Sequence, residues 1–260
     1  MKKFIQTLLL ILCIGVFYYS AWQLYCIWQE YHAGDEIYDS VQEEVALPSS
    51  EQQEDSRSPQ DETVEDSSVL RIPDSLINLE LLQQINSDAI GWIRIPDTNI
   101  NYPILQAEDN KLYLRRTITG EYNKAGCIFV DCRTENAFQE ANTIVYGHNL
   151  LNGKMFSNLM KYEDQDWYQE HPYVYIQTSD GVQVYEIYSC YRTWDSSPAY
   201  TFNLETGTDS FQDYLDETTN QSLYTTGIIP DSSDRIITLS TCTNESDDER
   251  FVVHGRLITR

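Results

Sequence analysis

Hydrophobic and polar positions divide the chain into three zones. Residues 4–28 read FIQTLLLILCIGVFYYSAWQLYCIW, without a charged side chain, and a run of that length can cross a bilayer as one helix. Residues 29–70 contain almost no large apolar residues after Val45. From residue 71 to 260, short apolar runs alternate with turn-forming residues. The pattern therefore predicts a cytoplasmic tip and transmembrane anchor at 1–28, a linker at 29–70 and one folded domain at 71–260.

The folded domain is predicted to be mainly β. Strand-like runs, rich in β-branched residues or alternating in polarity, occur at 90–95, 126–130, 143–147, 173–178, 182–191, 235–241 and 251–258. Two stretches predict helices: LINLELLQQI at 76–85, with Asp74 as its cap, and SFQDYLDETTN at 210–220. About eight short strands with one late helical interruption indicate a barrel or a sandwich.

The distribution of charge indicates what the first two zones are. The chain has 41 acidic and 17 basic residues, a net charge of -24, which argues against nucleic acid as a partner. Residues 29–70 are rich in Glu, Gln, Ser, Asp and Pro, which predicts a disordered, acidic stalk. Lys2 and Lys3 precede the apolar run, so the positive-inside rule predicts a single-pass membrane protein with a cytoplasmic N-terminus and an extracytoplasmic domain. A cleaved signal peptide is the alternative, although no clear A-x-A site follows the run.

A candidate nucleophile lies in the stretch RIITLSTCTNESDDERFVVHGRLI, residues 235–258. Cys242 ends one β-rich run, and Arg250 begins the next after an acidic loop. Two strands joined by that loop place the thiol and the guanidinium at one rim of a sheet. A thiolate beside a cation is a reactive nucleophile. A buried structural cysteine is the alternative reading of Cys242.

A catalytic cysteine needs a base, and the chain has four histidines. His32 borders the apolar run, and His171 precedes a proline in a turn that is expected at the surface. His148 follows a predicted strand and lies in a loop, where catalytic groups are usually displayed, whereas His254 lies within a strand. The residues alone favour His148 and leave His254 open.

Other clusters do not predict a metal or a cofactor. The acidic residues of the loop at 243–249 lack the spacing and the glycine of a calcium-binding EF-hand. Cys127 and Cys132 do not have zinc-finger spacing, although a disulfide between them stays open. The sequence contains no P-loop and no GxGxxG motif.

Several blocks of the sequence resemble class B sortases, the cysteine transpeptidases of Gram-positive bacteria. In chain order they are IPDTNINYPILQAEDNKLYL at 95–114, KAGCIFVDCRTE at 124–135, YGHN at 146–149 followed by GKMF, and TLSTC at 238–242 followed by Arg250. The resemblance covers about 72–260. It implies a closed sortase β-barrel of about eight strands, an N-terminal helical addition and a helix in the loop before the last strands.

The resemblance also implies roles for individual residues. Cys242 becomes the nucleophile, His148 the general acid and base, and Arg250 the group that holds the substrate backbone or the oxyanion. The residues implied to line the substrate groove are Asn110, Leu114, Tyr146 and Ser240.

The implied reaction is the cleavage, through a thioester, of a C-terminal sorting signal on a secreted protein. The product is then transferred to an amine of a cell-wall precursor or a pilin, on the outer face of the cell membrane, without a cofactor. Two alternatives remain open: a hydrolytic cysteine peptidase, and a non-catalytic, membrane-tethered β-barrel that binds partner proteins.

Overall fold

The apolar run at the N-terminus is helical, and the helix continues beyond it. The computed structural model describes residues 2–47 and 76–258, and its first helix, α1, spans Lys2–Val45. The apolar side chains of its first part are exposed, from Phe4 at 75% to Trp28 at 55%. By length and composition this part of α1 can cross a membrane.

The structure differs from the disordered stalk that the composition predicts for residues 29–70. Residues 29–45 belong to α1, because Tyr38, Val41 and Val45 recur along one side of the helix and are buried in the core. Three apolar residues at helical spacing outweigh the acidic composition around them. Residues 48–70 of the predicted stalk lie outside the described residues.

The main body is a closed barrel of eight strands, which confirms the predicted fold. The strands are β1 (Ala89–Arg94), β2 (Asn101–Leu105), β3 (Ile128–Val130), β4 (Asn142–Tyr146), β5 (Tyr173–Thr178), β6 (Gly181–Trp194), β7 (Ile236–Cys242) and β8 (Glu249–Leu257). Their order around the barrel is β1-β2-β3-β4-β7-β8-β6-β5, with β5 paired to β1.

Strand β2 was not predicted, because a proline within a run argues against a strand. Pro103 pairs with Trp92 of the antiparallel neighbour β1. The pairing between β2 and β3 begins only at Ile104. Pro103 therefore has a partner strand on one side only, as at the edge of a sheet, where a proline is tolerated.

Within residues 76–258, three α-helices accompany the barrel: α2 (Leu79–Ile85), α3 (Gln165–Glu170) and α4 (Asp209–Asn220). Helix α2 begins later than predicted, with the side chain of Asn78 as its cap, and Asp74 lies outside the described residues. The preceding Ile77 instead forms a β-bridge with Ala46 just after α1. Helix α4 confirms the helix predicted before the last strands.

One rim of the barrel collects the ends of three neighbouring strands. Strands β4 and β7 are parallel, and their register places Tyr146 beside Ser240. Strands β7 and β8 are antiparallel, and their register places Cys242 opposite Arg250. The carboxyl ends of β4 and β7 therefore meet the start of β8 at the same edge.

Candidate active site

A cleft of about 410 Å³ opens at this rim. Every residue predicted for the site lines it, namely Asn110, Leu114, Tyr146, His148, Ser240, Cys242 and Arg250. The cleft is completed by residues that the sequence did not single out: Phe129, Gly147, Asp195, Tyr200 and Thr241. The structure thus brings together side chains from segments that are far apart in the chain.

Cys242 is the last residue of β7, and its side chain is partly exposed in the cleft. Its carbonyl oxygen accepts a hydrogen bond of 2.9 Å from Asn149 Nδ2, which ties the end of β7 to the loop that carries His148. Cys127 and Cys190 are buried by contrast, and burial raises their pKa to about 12 and about 11. The thiol of Cys242 is therefore accessible, whereas these two are protonated core groups.

The disulfide left open by the sequence is not present. Cys127 and Cys132 are both free thiols in the structure. Cys127 instead donates to the carbonyl of Arg116 and accepts from the hydroxyl of Tyr38 in α1. Its role in the fold is thus to fill the contact between α1 and the barrel.

His148 follows β4 and is held by two backbone contacts. Its Nε2 lies 2.9 Å from the carbonyl oxygen of Leu114, and its own carbonyl accepts from the Phe156 N–H. Burial lowers the pKa of His148, the nearby guanidinium of Arg115 lowers it further, and the Leu114 contact opposes both. Because a carbonyl only accepts, the neutral imidazole carries its proton on Nε2 and keeps its lone pair on Nδ1.

His254, the histidine that the residues alone left open, lies in the core. Its Nδ1 is 3.0 Å from Thr238 Oγ1, and its Nε2 is 3.2 Å from the hydroxyl of Tyr191. Complete burial lowers its pKa to about 3. Of these two histidines, His148 is the one that lines the cleft.

His171 is also buried, where a surface position was expected. Its ring stacks on Trp167 with centroids 3.8 Å apart, and its Nδ1 lies 2.9 Å from the Trp167 carbonyl at the end of α3. It caps the end of α3 and is not among the residues that line the cleft.

Gly147 allows the chain to pass between β4 and His148. A Cβ at this position would lie 2.4 Å from Ile128 Cδ1 and 2.6 Å from Phe156 Cγ. The Gly147 carbonyl accepts from Thr241 Oγ1 at 2.8 Å, and its N–H donates to the Ser240 carbonyl at 3.1 Å. These bonds extend the pairing of β4 with β7 up to the histidine.

Arg250 is held at the opening of the cleft by its own loop. Its Nη1 donates to the backbone carbonyls of Asp247 at 2.6 Å and Glu249 at 3.0 Å. Its Nη2 lies 3.4 Å from a carboxylate oxygen of Asp195, a long contact with a half-exposed acid. A guanidinium has five N–H donors, so these bonds leave donors for a ligand.

A buried carboxylate supports one wall of the cleft. The side chain of Asp131 is fully buried and accepts hydrogen bonds of 2.9 Å from both Tyr146 and Asn110. Arg133 binds it through two bonds of 2.8 Å. Burial alone would raise the pKa of Asp131, but the bonds from Arg133 and Tyr146 lower it overall. Asp131 therefore stays ionised and fixes two side chains that line the cleft.

The opposite wall comes from the long connection between β6 and β7. Tyr200 shares a hydrogen bond of 2.7 Å with Ser240, and its ring stacks near that of Tyr146, with centroids 6.3 Å apart. Two residues further on, the guanidinium of Arg133 lies over the ring of Phe202, with Cζ 3.6 Å from the ring centroid, in a cation–π contact. The two walls are thus joined through Arg133.

Comparisons with known proteins agree with this architecture. Residues 93–258 match the family model described as a sortase domain. A relative from Listeria monocytogenes, named Sortase B, is 35% identical over 263 residues, which cover 100% of this chain and 99% of the relative. The structure of sortase B from B. anthracis in complex with AAEK1 has a TM-score of 0.70 and 33% identity, covering 90% of this chain and 100% of that one. A Staphylococcus aureus sortase B–substrate complex has a TM-score of 0.65 and 33% identity, covering 70% and 85%.

The chain therefore belongs to the sortase family. Its full-length similarity to proteins named Sortase B, together with its fold, makes it a class B sortase, a cysteine transpeptidase.

Proposed function

We propose that this class B sortase is anchored in the membrane and acts through an acyl-enzyme on Cys242. The sulfur attacks the threonyl carbonyl carbon in the sorting signal of a secreted protein, the C–N bond breaks, and the C-terminal tail leaves as an amine. The shared cleft carries this proposal, because Cys242, His148 and Arg250 line one cavity and the first and last of these are opposite each other in register.

His148 supplies the proton transfers in this scheme. As a neutral imidazole it accepts the thiol proton, and the resulting imidazolium protonates the leaving amine. It then takes a proton from the incoming amine as that amine attacks the thioester. Burial supports both steps, since a lowered pKa keeps His148 neutral at rest and makes its imidazolium a strong acid.

Arg250 stabilises the negative charge that develops on the carbonyl oxygen. Its guanidinium stays cationic at any working pH and donates to an oxyanion. The backbone carbonyls of Asp247 and Glu249 fix its position before the substrate arrives, so little reorganisation is needed.

The substrate groove runs along the walls of the same cleft. Asn110, Leu114, Tyr146 and Ser240 line it beside the thiol, and hydrogen bonds to Asp131 or Tyr200 hold three of them. A related S. aureus enzyme is known as a substrate complex, which supports a peptide in this groove.

The proposed site of this chemistry is outside the cytoplasm. The exposed apolar part of α1 and the lysines at its start support a single membrane crossing with the barrel on the outer face. Secreted proteins with a C-terminal sorting signal and an amine of a cell-wall precursor or a pilin meet the enzyme there.

The test is peptide cleavage by the full chain in detergent. Wild type, Cys242→Ala and a control, Cys132→Ala, are incubated with a panel of sorting-signal peptides, and products are identified by mass spectrometry. We expect turnover by wild type and by the control, and none by Cys242→Ala. Equal turnover by Cys242→Ala and wild type would refute the assignment.

An added amine separates transfer from hydrolysis. With triglycine present, a transpeptidase yields the amide product, whereas a hydrolytic peptidase yields the free acid with or without the amine. No cleavage of any peptide by wild type would favour a non-catalytic barrel.

A further inference from the structure

A small hairpin, residues 115–124, lies between β2 and β3, with Thr117 and Ile118 buried and its turn, residues 119–122, exposed. Arg116 pairs with Tyr122 as an antiparallel bridge, and the Asn123 N–H donates to the Arg115 carbonyl at 3.0 Å. Gly120 closes the turn with a φ of 82°, a left-handed conformation that suits glycine. The hairpin is thus an ordered structure with a defined tip.

The base of this hairpin is bonded to α1 just beyond the apolar run. The Lys124 N–H donates to Glu30 Oε1 at 3.1 Å, and Lys124 Nζ lies 3.0 Å from Glu30 Oε2. Asn123 Nδ2 donates to the Glu30 carbonyl at 2.8 Å. Glu30 follows the last apolar residue, Trp28, by two positions, which is about 3 Å along a helix. The hairpin therefore lies at the level where the apolar part of α1 ends.

The exposed side chains of the hairpin include an aromatic ring and two cations, beside one acid, Glu121. Tyr122 is 68% exposed, although it is a large aromatic residue. Arg115 and Arg116 are exposed, and neither forms an ion pair with an acid in the part of the chain that the structure describes. Aromatic rings and cations next to the end of a spanning helix bind the interface and anionic headgroups.

We propose that hairpin 115–124 docks on the outer surface of the bilayer that holds α1. Tyr122 enters the interface, and the two arginines bind anionic lipid headgroups. The inference rests on the membrane anchoring proposed above. It gives the barrel a preferred orientation, because α1 is one continuous helix whose C-terminal part packs in the core.

This docking places the cleft beside the membrane surface. Leu114 lines the cleft, contacts His148 through its carbonyl, and directly precedes Arg115 of the hairpin. The wall of the cleft and the docking surface are therefore adjacent in one segment. An acceptor carried on a lipid reaches the cleft without leaving the membrane surface.

Hydrogen–deuterium exchange of the full chain in lipid nanodiscs tests this surface. Discs of phosphatidylcholine are compared with discs that also contain phosphatidylglycerol. We expect amides of residues 115–124 to exchange several-fold more slowly in the anionic discs, and high salt to remove the difference. Equal exchange in the two kinds of disc would overturn the proposal.

Matched variants locate the effect. Arg116→Gln with Tyr122→Ser should abolish the difference between the discs. Lys161→Gln with Ile229→Ser, which changes one exposed cation and one exposed apolar residue outside the hairpin, should preserve it. A difference that survives in the hairpin variant, or disappears equally in the control, contradicts docking through these residues.

Two further readouts separate this inference from the proposed function. Co-elution of the chain with the discs reports the anchor, and peptide cleavage in detergent reports the cleft. Equal exchange in a chain that co-elutes and cleaves overturns the docking surface alone. If the chain does not co-elute with the discs, both the proposed anchor and the proposed docking are wrong. If cleavage alone is lost, the proposed chemistry is wrong.

Discussion

The carbonyl oxygen of Leu114 lies 2.9 Å from Nε2 of His148, so a loop between β2 and β3 orients the histidine that follows β4. The contact fixes the proton on Nε2, since a carbonyl cannot donate. It also makes the orientation of His148 depend on a segment more than thirty residues away. His254, the alternative, is completely buried and bonds to Thr238 and Tyr191 instead.

The two histidines are expected to behave differently on substitution. His148→Ala should lower peptide cleavage by about 10²–10⁴-fold, the usual contribution of general acid–base catalysis, with little change in folding. His254→Gln should remain active per folded molecule, because His254 lies outside the cleft, but should be less stable through its contacts with Thr238 and Tyr191. A folded but inactive His254 variant beside an active His148 variant would reverse the assignment.

His254 also predicts a dependence of stability on pH. Its folded pKa is about 3, below the ordinary 6.5, so the unfolded chain binds a proton that the folded chain does not. Its contribution to stability is fully present above pH 6.5 and falls by about 1.4 kcal/mol per pH unit below that value, down to about pH 3.

Denaturant unfolding of the full chain in detergent, from neutral to acidic pH, measures this effect. Between about pH 3 and 6.5, the free energy of unfolding of wild type should fall more steeply with decreasing pH than that of His254→Gln. The difference in slope should correspond to the uptake of about one proton on unfolding. Parallel curves for the two proteins would show that His254 does not titrate as its burial requires.

Gly147→Ala should damage both stability and activity. The added Cβ meets Ile128 and Phe156, so we expect a loss of about 1–3 kcal/mol and a lower kcat/KM as the loop that carries His148 moves. A double-mutant cycle with Phe156→Ala tests the contact with Phe156. Because Phe156→Ala removes the Cγ and Cδ2 atoms that the added Cβ meets, the pair should be less damaging than the sum of the single changes. Strict additivity would exclude the contact with Phe156 as the reason.

Asp131→Asn should weaken substrate binding more than the chemical step. The amide keeps the volume but loses the charge that binds Arg133 and one acceptor for Tyr146 or Asn110. We expect KM to rise and kcat/KM to fall about tenfold, in line with about 1–3 kcal/mol for one unsatisfied buried group. Asp180→Asn, a change of an exposed acid, is the control. An unchanged KM, or an equal rise in the control, would contradict a role for Asp131 in positioning the wall.

The strand pattern could be predicted largely from β-branched runs, and β5 was predicted with its observed bounds, Tyr173–Thr178. Closure of the barrel was implied by the family resemblance, because alternation alone does not separate a barrel from a sandwich. Strand β2 was not among the predicted strands, and it contains Pro103, a residue that is unfavourable within a strand. The helical segment up to Val45 was not predicted, because its few apolar residues stabilise a helix only when the barrel provides a surface on which they can be buried.

The cleft residues with a sequence signature were predicted, and the structure places all of them around one cavity. Asp131 was missed because its partners Tyr146 and Asn110 come from other segments, so nothing local marks it as buried. Asp195 and Tyr200 lie between β6 and α4, in a stretch for which the sequence predicts neither a helix nor a strand. Residues of this kind become visible only when distant segments are folded together.

The order of strands around the barrel also sets when the site can form. The β7–β8 hairpin lies between β4 and β6, so the barrel stays open until residues 236–257 have been added to it. If the barrel lies on the outer face, as proposed above, the residues after α1 cross the membrane in chain order, and His148 emerges well before Cys242. On that topology the site is complete only when β7 and β8 have crossed, and a chain truncated before Cys242 has a histidine without its thiol partner.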